Sequence, residues 1–178
     1  MLPIILGVIV AIVVLFLIIV ALQPADYQVV RNATIGAPAA DIFVRVNDVR
    51  KFQDWSPWAK LDPEVKNTYE GPPAGTGAIS RWAGNNKVGE GSMTIVDSQP
   101  NDLIKMKLEF IKPFASTANV QFDFKPNGNG TAVTWTMSGK KNFMSKAFCL
   151  FVSMDKMVGG DFERGLANLK TLTEKGKS

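Results

Sequence analysis

The side chains able to do chemistry in this chain are few, and the gaps among them exclude more than the residues present promise. None of the 178 residues is a histidine, which removes His-based triads, His metal sites and the usual general base near neutral pH. The single cysteine, Cys149, permits neither an intrachain disulfide nor a cysteine-cluster zinc site. Set among Phe148, Leu150 and Phe151, it reads as a small buried apolar residue rather than a nucleophile. Gly75-Thr76-Gly77 and Gly89-Glu90-Gly91 are not phosphate loops, since no Gly-Lys-Ser/Thr follows and neither opens a helix after a strand. Any catalysis would rest on carboxylates, Lys, Arg or Tyr. Tyr69, Arg81 and Asp161 are the polar side chains best placed to reach an interior site, with surface ion pairing the plainer reading of Arg81 and Asp161. No catalytic residue, metal site or cofactor is expected.

Binding is better supplied than catalysis. Trp82, Phe110, Phe122, Phe124 and Trp135 share the apolar face of alternating segments, and Met106, Met137 and Met154 add adaptable bulk. Singly, each is as much a core filler as a wall. Together they favour a cavity, because a strongly curved sheet over one helix leaves space that side chains seldom fill. Trp55 and Trp58 flank Ser56-Pro57, where they form either a pocket mouth or a plug closing the open end.

The elements that position these residues are legible from period and punctuation. Tyr27–Ile35 reads as a strand, followed by short helices from Ala37 to Val46 and from Val49 to Trp55. Strands follow near 65–70, 77–83, 91–98, 103–111, 117–125 and 131–139. In the last three, Ile104, Met106, Leu108 and Phe110, then Val120, Phe122 and Phe124, then Val133, Trp135 and Met137 alternate with polar residues. One dry face and one wet face is the pattern of an antiparallel sheet. Asn85-Asn86, Pro100-Asn101-Asp102 and Asn127-Gly128-Asn129-Gly130 supply the turns. A helix from about Ser145 to Lys175 closes the chain, with Met154, Met157, Val158, Phe162, Leu166, Leu169 and Leu172 as its apolar stripe. The expected fold is α+β, a curved seven-stranded antiparallel sheet around a long C-terminal helix.

Leu2 to Leu22 carries no charge. About 20 residues at roughly 1.5 Å each span roughly 30 Å, the thickness of a bilayer's hydrocarbon core. The run is too long for the core of a cleavable signal, no Lys or Arg precedes it, and no clean small-x-small site follows. The expected organisation is a transmembrane anchor at 1–22, a short linker at 23–26 and a ligand-binding domain at 27–175. Arg31, the only basic side chain within about 20 residues of the helix end, leans the domain toward the cytoplasmic side; Asn32-Ala33-Thr34 and Asn129-Gly130-Thr131 fit the glycosylation pattern and leave the side open. The linker reaches roughly 14 Å, so the domain sits against the membrane. The net charge of +4, from 20 basic and 16 acidic residues without a basic run, fits an anionic leaflet and excludes a nucleic-acid footprint.

Several motifs carry a family likeness. Trp55-Ser56-Pro57-Trp58, Tyr69-Glu70-Gly71 through Gly75-Thr76-Gly77, Trp82-Ala83-Gly84, Lys112-Pro113-Phe114, Gly130-Thr131 through Thr134-Trp135 and Asp161-Phe162-Glu163 resemble the polyketide cyclase/dehydrase-like branch of the SRPBCC superfamily. START lipid-transfer domains and birch-pollen-allergen-like proteins belong to the same superfamily. The resemblance implies a helix-grip fold and a cavity for sterols, lipids, polyketides or other apolar molecules, in some members with cyclase or hydrolase activity.

The expected function is membrane-anchored carriage or sensing of a hydrophobic small molecule or lipid. One alternative is a cyclase, dehydratase or hydrolase acting in the same cavity. A second is a tethered interaction domain without ligand. The expected ligand-cavity residues are Trp55, Trp58, Tyr69, Arg81, Trp82, Met106, Phe110, Phe122, Phe124, Trp135, Met137, Met154, Val158 and Phe162. The expected partners are that small molecule and the bilayer. Lys140, Lys141, Phe143, Lys146, Phe148 and Phe151 mix basic heads with apolar bulk and are expected to form a membrane-facing lid over the cavity mouth.

Overall fold

Period-two patterning in the second half of the chain becomes strand pairing in the computed structural model, which describes residues 1–175. The elements are α1 (Leu2–Leu22), β1 (Asp26–Ile35), α2 (Ala39–Asn47), α3 (Phe52–Trp55), β2 (Lys66–Glu70), β3 (Ile79–Ala83), β4 (Glu90–Gln99), β5 (Leu103–Lys112), β6 (Ser116–Asn127), β7 (Gly130–Lys140), α4 (Phe143–Cys149) and α5 (Met154–Lys175). All seven strands join one antiparallel sheet in the order β1-β7-β6-β5-β4-β3-β2. Strands β2 to β7 form a meander, and β1 pairs with β7 from Asp26↔Lys140 to Ile35↔Thr131. The helices α2 and α3 carry the chain from the β1 edge to the β2 edge. As expected from the sequence, this is an α+β helix-grip fold.

Two register shifts in β4, at Glu90/Gly91 and Ile95/Asp97, bend the sheet; an extra residue on one strand increases local twist and curvature. The turns are where the sequence puts them. Asn101 takes φ 64° between β4 and β5, and Gly128 takes φ 58° between β6 and β7. The connection before β1 is short: β1 begins at Asp26 rather than Tyr27, so only Gln23 to Ala25 separate it from α1.

The C-terminal helix differs from expectation. Instead of running unbroken from about Ser145, it is two helices separated by Leu150–Ser153. Asn142 caps α4, its Oδ1 accepting from the Ser145 amide at 2.8 Å, and Ser153 Oγ accepts from the Lys156 amide at 3.3 Å to start α5. Both are the side-chain caps that helix N-termini select. Met157 falls off the apolar stripe and is exposed.

Helix α5 runs beside β1 in the same direction. Arg31 pairs with Asp155 at 2.7 Å and Glu163 at 2.6 Å, Lys170 Nζ donates to the Thr34 carbonyl at 3.0 Å, and the Gly36 amide donates to Glu174 Oε1 at 2.7 Å. Exposed ion pairs of this kind add little stability but fix register. The helix also approaches β7 closely at Gly165, where a Cβ would lie 2.7 Å from Trp135 Cζ3 and 3.2 Å from Pro57 Cδ.

Candidate functional site: an apolar mouth at one end of the sheet

Burial along β5 falls steadily toward one end. Ile104 and Met106 are sealed, whereas Leu108 and Phe110 on the same inward face are only partly covered. The sealed end is closed by α2, whose Phe43 packs edge-on against Phe124 at 5.6 Å. The open end is the one at which β1 starts and β7 stops, and there the inward side chains are Tyr27, Asn67, Trp82 and Phe110. Trp82 lies edge-on to Phe110 at 5.8 Å, and its indole N–H donates to the Val88 carbonyl at 3.0 Å. The Trp82 ring covers Gly91, where a Cβ would come within 2.5 Å of Trp82 Cζ2. Met154 and Val158, from the first turns of α5, are half-buried. Together these residues form an open, largely apolar mouth, with Tyr27, Trp82 and Phe110 as its aromatic members.

Deeper inside, the aromatics pack against each other. Trp135 stacks on Phe162 with ring centroids 4.1 Å apart and meets Phe122 at 4.9 Å, Trp55 at 5.6 Å and Trp58 at 6.0 Å. The expected cavity residues therefore divide in two. Trp55, Met106, Phe122, Phe124, Trp135, Met137 and Phe162 are buried core. Trp58, Trp82, Phe110, Met154 and Val158 remain partly open around the mouth. Trp58 lies between the groups, edge-on to Trp135 and Phe162 yet partly exposed.

The polar candidates separate too. Tyr69 faces inward on the edge strand β2, but Arg50 covers its ring at 5.3 Å. Burial pushes the Tyr69 phenol above its ordinary value, against the opposing pull of Arg50. Arg81 is not brought to the concave side. It alternates with Ser80 and Trp82, so it points outward and pairs with Glu70 at 2.8 Å, holding that carboxyl below its usual range. Asp161 pairs with Arg164 one turn along α5. Among the described residues Asp62 is the one buried carboxylate, and backbone amides occupy it: Oδ2 accepts from Asn85 at 2.6 Å and Oδ1 from Glu64 at 3.1 Å. These bonds pin the loop after α3 to the open end. Also among the described residues, no three Cys, Asp or Glu side chains gather as a metal site.

Two residues carry signals that sequence reading passed over. Among the described residues, Asn67 Oδ1 and Trp135 Nε1 are the buried side-chain polar atoms with no hydrogen-bond partner. Asn67 faces inward beside Trp82; its position two residues before Tyr69 on a short alternating strand was the available clue. Tyr27 is the other. Burial raises its phenol pKa, and the nearby Cys149 thiol on α4 adds to the shift.

That proximity brings α4 to the open end. Lys141 N donates to the Ala25 carbonyl at 2.8 Å, and Lys146 Nζ donates to the Ala21 carbonyl at 3.2 Å. Phe143, Phe148 and Phe151 are exposed, and Lys140 leaves β7 at the same end. Helix α1 is long and apolar enough to cross a membrane by length and composition, and its side chains are almost all exposed. On the outward face of the sheet lies a separate groove of about 290 Å³ bordered by Gln28, Lys105, Asn119, Gln121, Thr136 and Ser138. Its lining is mixed, with Val96, Met106 and Val120 beside these polar side chains, and it shares no inward aromatic with the mouth.

Comparison with known proteins places this geometry. Solved structures share the fold at low identity. A protein of Rhizobium leguminosarum superposes with TM-score 0.61 at 15% identity, over 84% of this chain and 95% of that one. The Aha1 dimer from Colwellia psychrerythraea gives 0.60 at 16%, over 85% and 99%. The di-domain ARO/CYC StfQ from the steffimycin biosynthetic pathway gives 0.61 at 11%, over 86% of this chain and 52% of StfQ. No curated protein matches the sequence. Residues 27–174 match the family described as polyketide cyclase / dehydrase and lipid transport, and the chain, on its helix-grip fold, belongs to that family.

Proposed function

We propose that the domain binds an amphipathic lipid or isoprenoid-sized molecule at the apolar mouth, for carriage or sensing, while α1 anchors it in a bilayer. The observation that carries this reading is the burial gradient along β5. Its inward face is sealed at Ile104 and Met106 and left partly open at Leu108 and Phe110, at the end where α1 joins the domain. A monomer has reason to leave apolar side chains uncovered on a concave surface when something else covers them.

The unpartnered Asn67 Oδ1, on the inward face beside Trp82, supports an amphipathic rather than a purely hydrocarbon ligand. Leaving a buried polar atom unsatisfied costs about 1–3 kcal/mol, which a ligand hydroxyl or carbonyl would offset. The family description also covers cyclases and dehydrases. Catalysis at the mouth would require an acid or base poised near neutral pH, and the polar groups facing that space are an amide and a phenol whose pKa burial raises.

Native mass spectrometry of the full chain released from lipid nanodiscs tests the proposal. A bound lipid-sized mass is expected, with Trp82→Ala and Phe110→Ala each lowering its occupancy. Release with no bound mass from every lipid mixture would overturn the binding reading.

A further inference from the structure

Large exposed apolar side chains are concentrated at one end of the sheet. Phe143, Met144, Phe148 and Phe151, in and just after α4, are 47%, 67%, 54% and 79% exposed. Across the mouth, the tip joining β5 to β6 presents Ile111 and Phe114, the latter 71% exposed. The two groups share an end because Phe110 pairs with Ser116 and Ala118 pairs with Gly139, immediately before the chain enters α4. At the opposite end the tips are Pro100-Asn101-Asp102 and Asn127-Gly128-Asn129, with no large apolar side chain.

We propose that Ile111/Phe114 and the apolar face of α4 are two prongs that seat this end of the domain in the bilayer interface, so that the mouth between them opens onto lipid. The inference rests on α1 being membrane-embedded, and the chain's own geometry selects the occupant. Only Gln23 to Ala25 separate α1 from β1, a reach of about 10 Å, and Lys146 is bonded to the last turn of α1 through the Ala21 carbonyl. The α4 prong is therefore held beside the last turn of α1, and the β5–β6 tip lies at the same end of the sheet. Lys140, Lys141 and Lys146 lie beside or within the α4 prong, and Lys112, paired with Glu90 at 2.7 Å, lies beside the other. This mixture of basic heads and apolar bulk suits anionic headgroups above buried aromatic rings. A protein partner would find the same surface already occupied by headgroups. A ligand entering between the prongs would pass from bilayer to mouth without crossing water.

Site-directed spin labelling of the full chain in phosphatidylcholine/phosphatidylglycerol vesicles tests this. In a Cys149→Ser background, single nitroxides replace Ile12→Cys in α1, Phe114→Cys and Phe151→Cys on the prongs, and Asn101→Cys and Asn129→Cys on the polar tips. Accessibility is read to oxygen, which concentrates in lipid, and to a water-soluble nickel chelate. The proposal expects the oxygen-to-nickel ratio at 12, 114 and 151 to be several-fold above that at 101 and 129. If 12 reads as lipid while 114 or 151 reads like the polar tips, the two-pronged seat is overturned and the anchor stands. If 12 itself reads as water, the anchorage reading fails and this inference fails with it.

Discussion

Trp135 of β7 and Phe162 of α5 lie face to face, with ring centroids 4.1 Å apart and planes 8° from parallel. This contact joins the helix to the sheet at the centre of an aromatic cluster that also includes Trp55, Trp58 and Phe122. Removing one ring leaves a hole that the surrounding planar side chains are poorly shaped to refill. Phe162→Ala is expected to cost about 3–5 kcal/mol, measured by urea denaturation followed by circular dichroism. Trp135→Phe keeps an aromatic face on Phe162 and removes a buried donor with no partner, so its cost is expected to be smaller. A loss below about 1 kcal/mol for Phe162→Ala would show that the stack does not hold α5 in place.

Tyr27 and Tyr69 are the only two tyrosines in the chain, so phenolate absorbance reports on both and nothing else. Burial raises both pKa values, with a further contribution at Tyr27 from Cys149. A raised folded pKa means that the fold favours the neutral phenol. The associated stability is fully present below the ordinary phenol value near about 10 and is lost as pH rises through the folded values. Ultraviolet titration should show phenolate appearing later than in the urea-unfolded chain. Superimposable folded and unfolded curves would contradict the burial of both rings.

Gly91 is the floor under Trp82. A methyl there would meet both the indole ring and the Glu109 carbonyl, and backbone on one side leaves little room to yield. Gly91→Ala is expected to destabilise by about 1–3 kcal/mol and to displace Trp82 from its hydrogen bond to Val88. Unfolding curves give the first effect and tryptophan emission the second. An unchanged spectrum with unchanged stability would mean that Trp82 is mobile enough not to shape the mouth.

Much of the fold is local and therefore readable without coordinates. Residues 103–111, 117–125 and 131–139 alternate because a strand sends successive side chains to opposite faces, and all three became strands within a few residues of those bounds. The turn residues Asn101 and Gly128 adopt the left-handed backbone that their types tolerate. The break between α4 and α5 falls in the apolar run 148–152, where hydrophobic pattern alone does not mark a helix end. The local clue was Ser153, whose side chain offers a cap to the amides that follow.

The candidate site was only half legible, and the missing half is a matter of distance in space. Alternation showed that Phe122, Trp135, Trp82 and Phe110 face inward. It could not show that the first two lie beneath α5 while the last two lie at the open end, since Arg31, Asp155 and Glu163 position that helix across a gap of more than a hundred residues. Arg81, expected among the cavity residues, sits between the inward Ser80 and Trp82, and alternation sends it to the other face. Sequence by itself determined the absence of histidine chemistry, the apolar N-terminal helix and the sheet's two faces, because composition and period are properties of neighbours along the chain. Tertiary structure alone decided which aromatics are core and which are mouth, that Asn67 faces inward without a partner, and that α4, α1 and the β5–β6 tip share one end. Those depend on strand pairing and helix docking, which bring together residues with no local sign of one another.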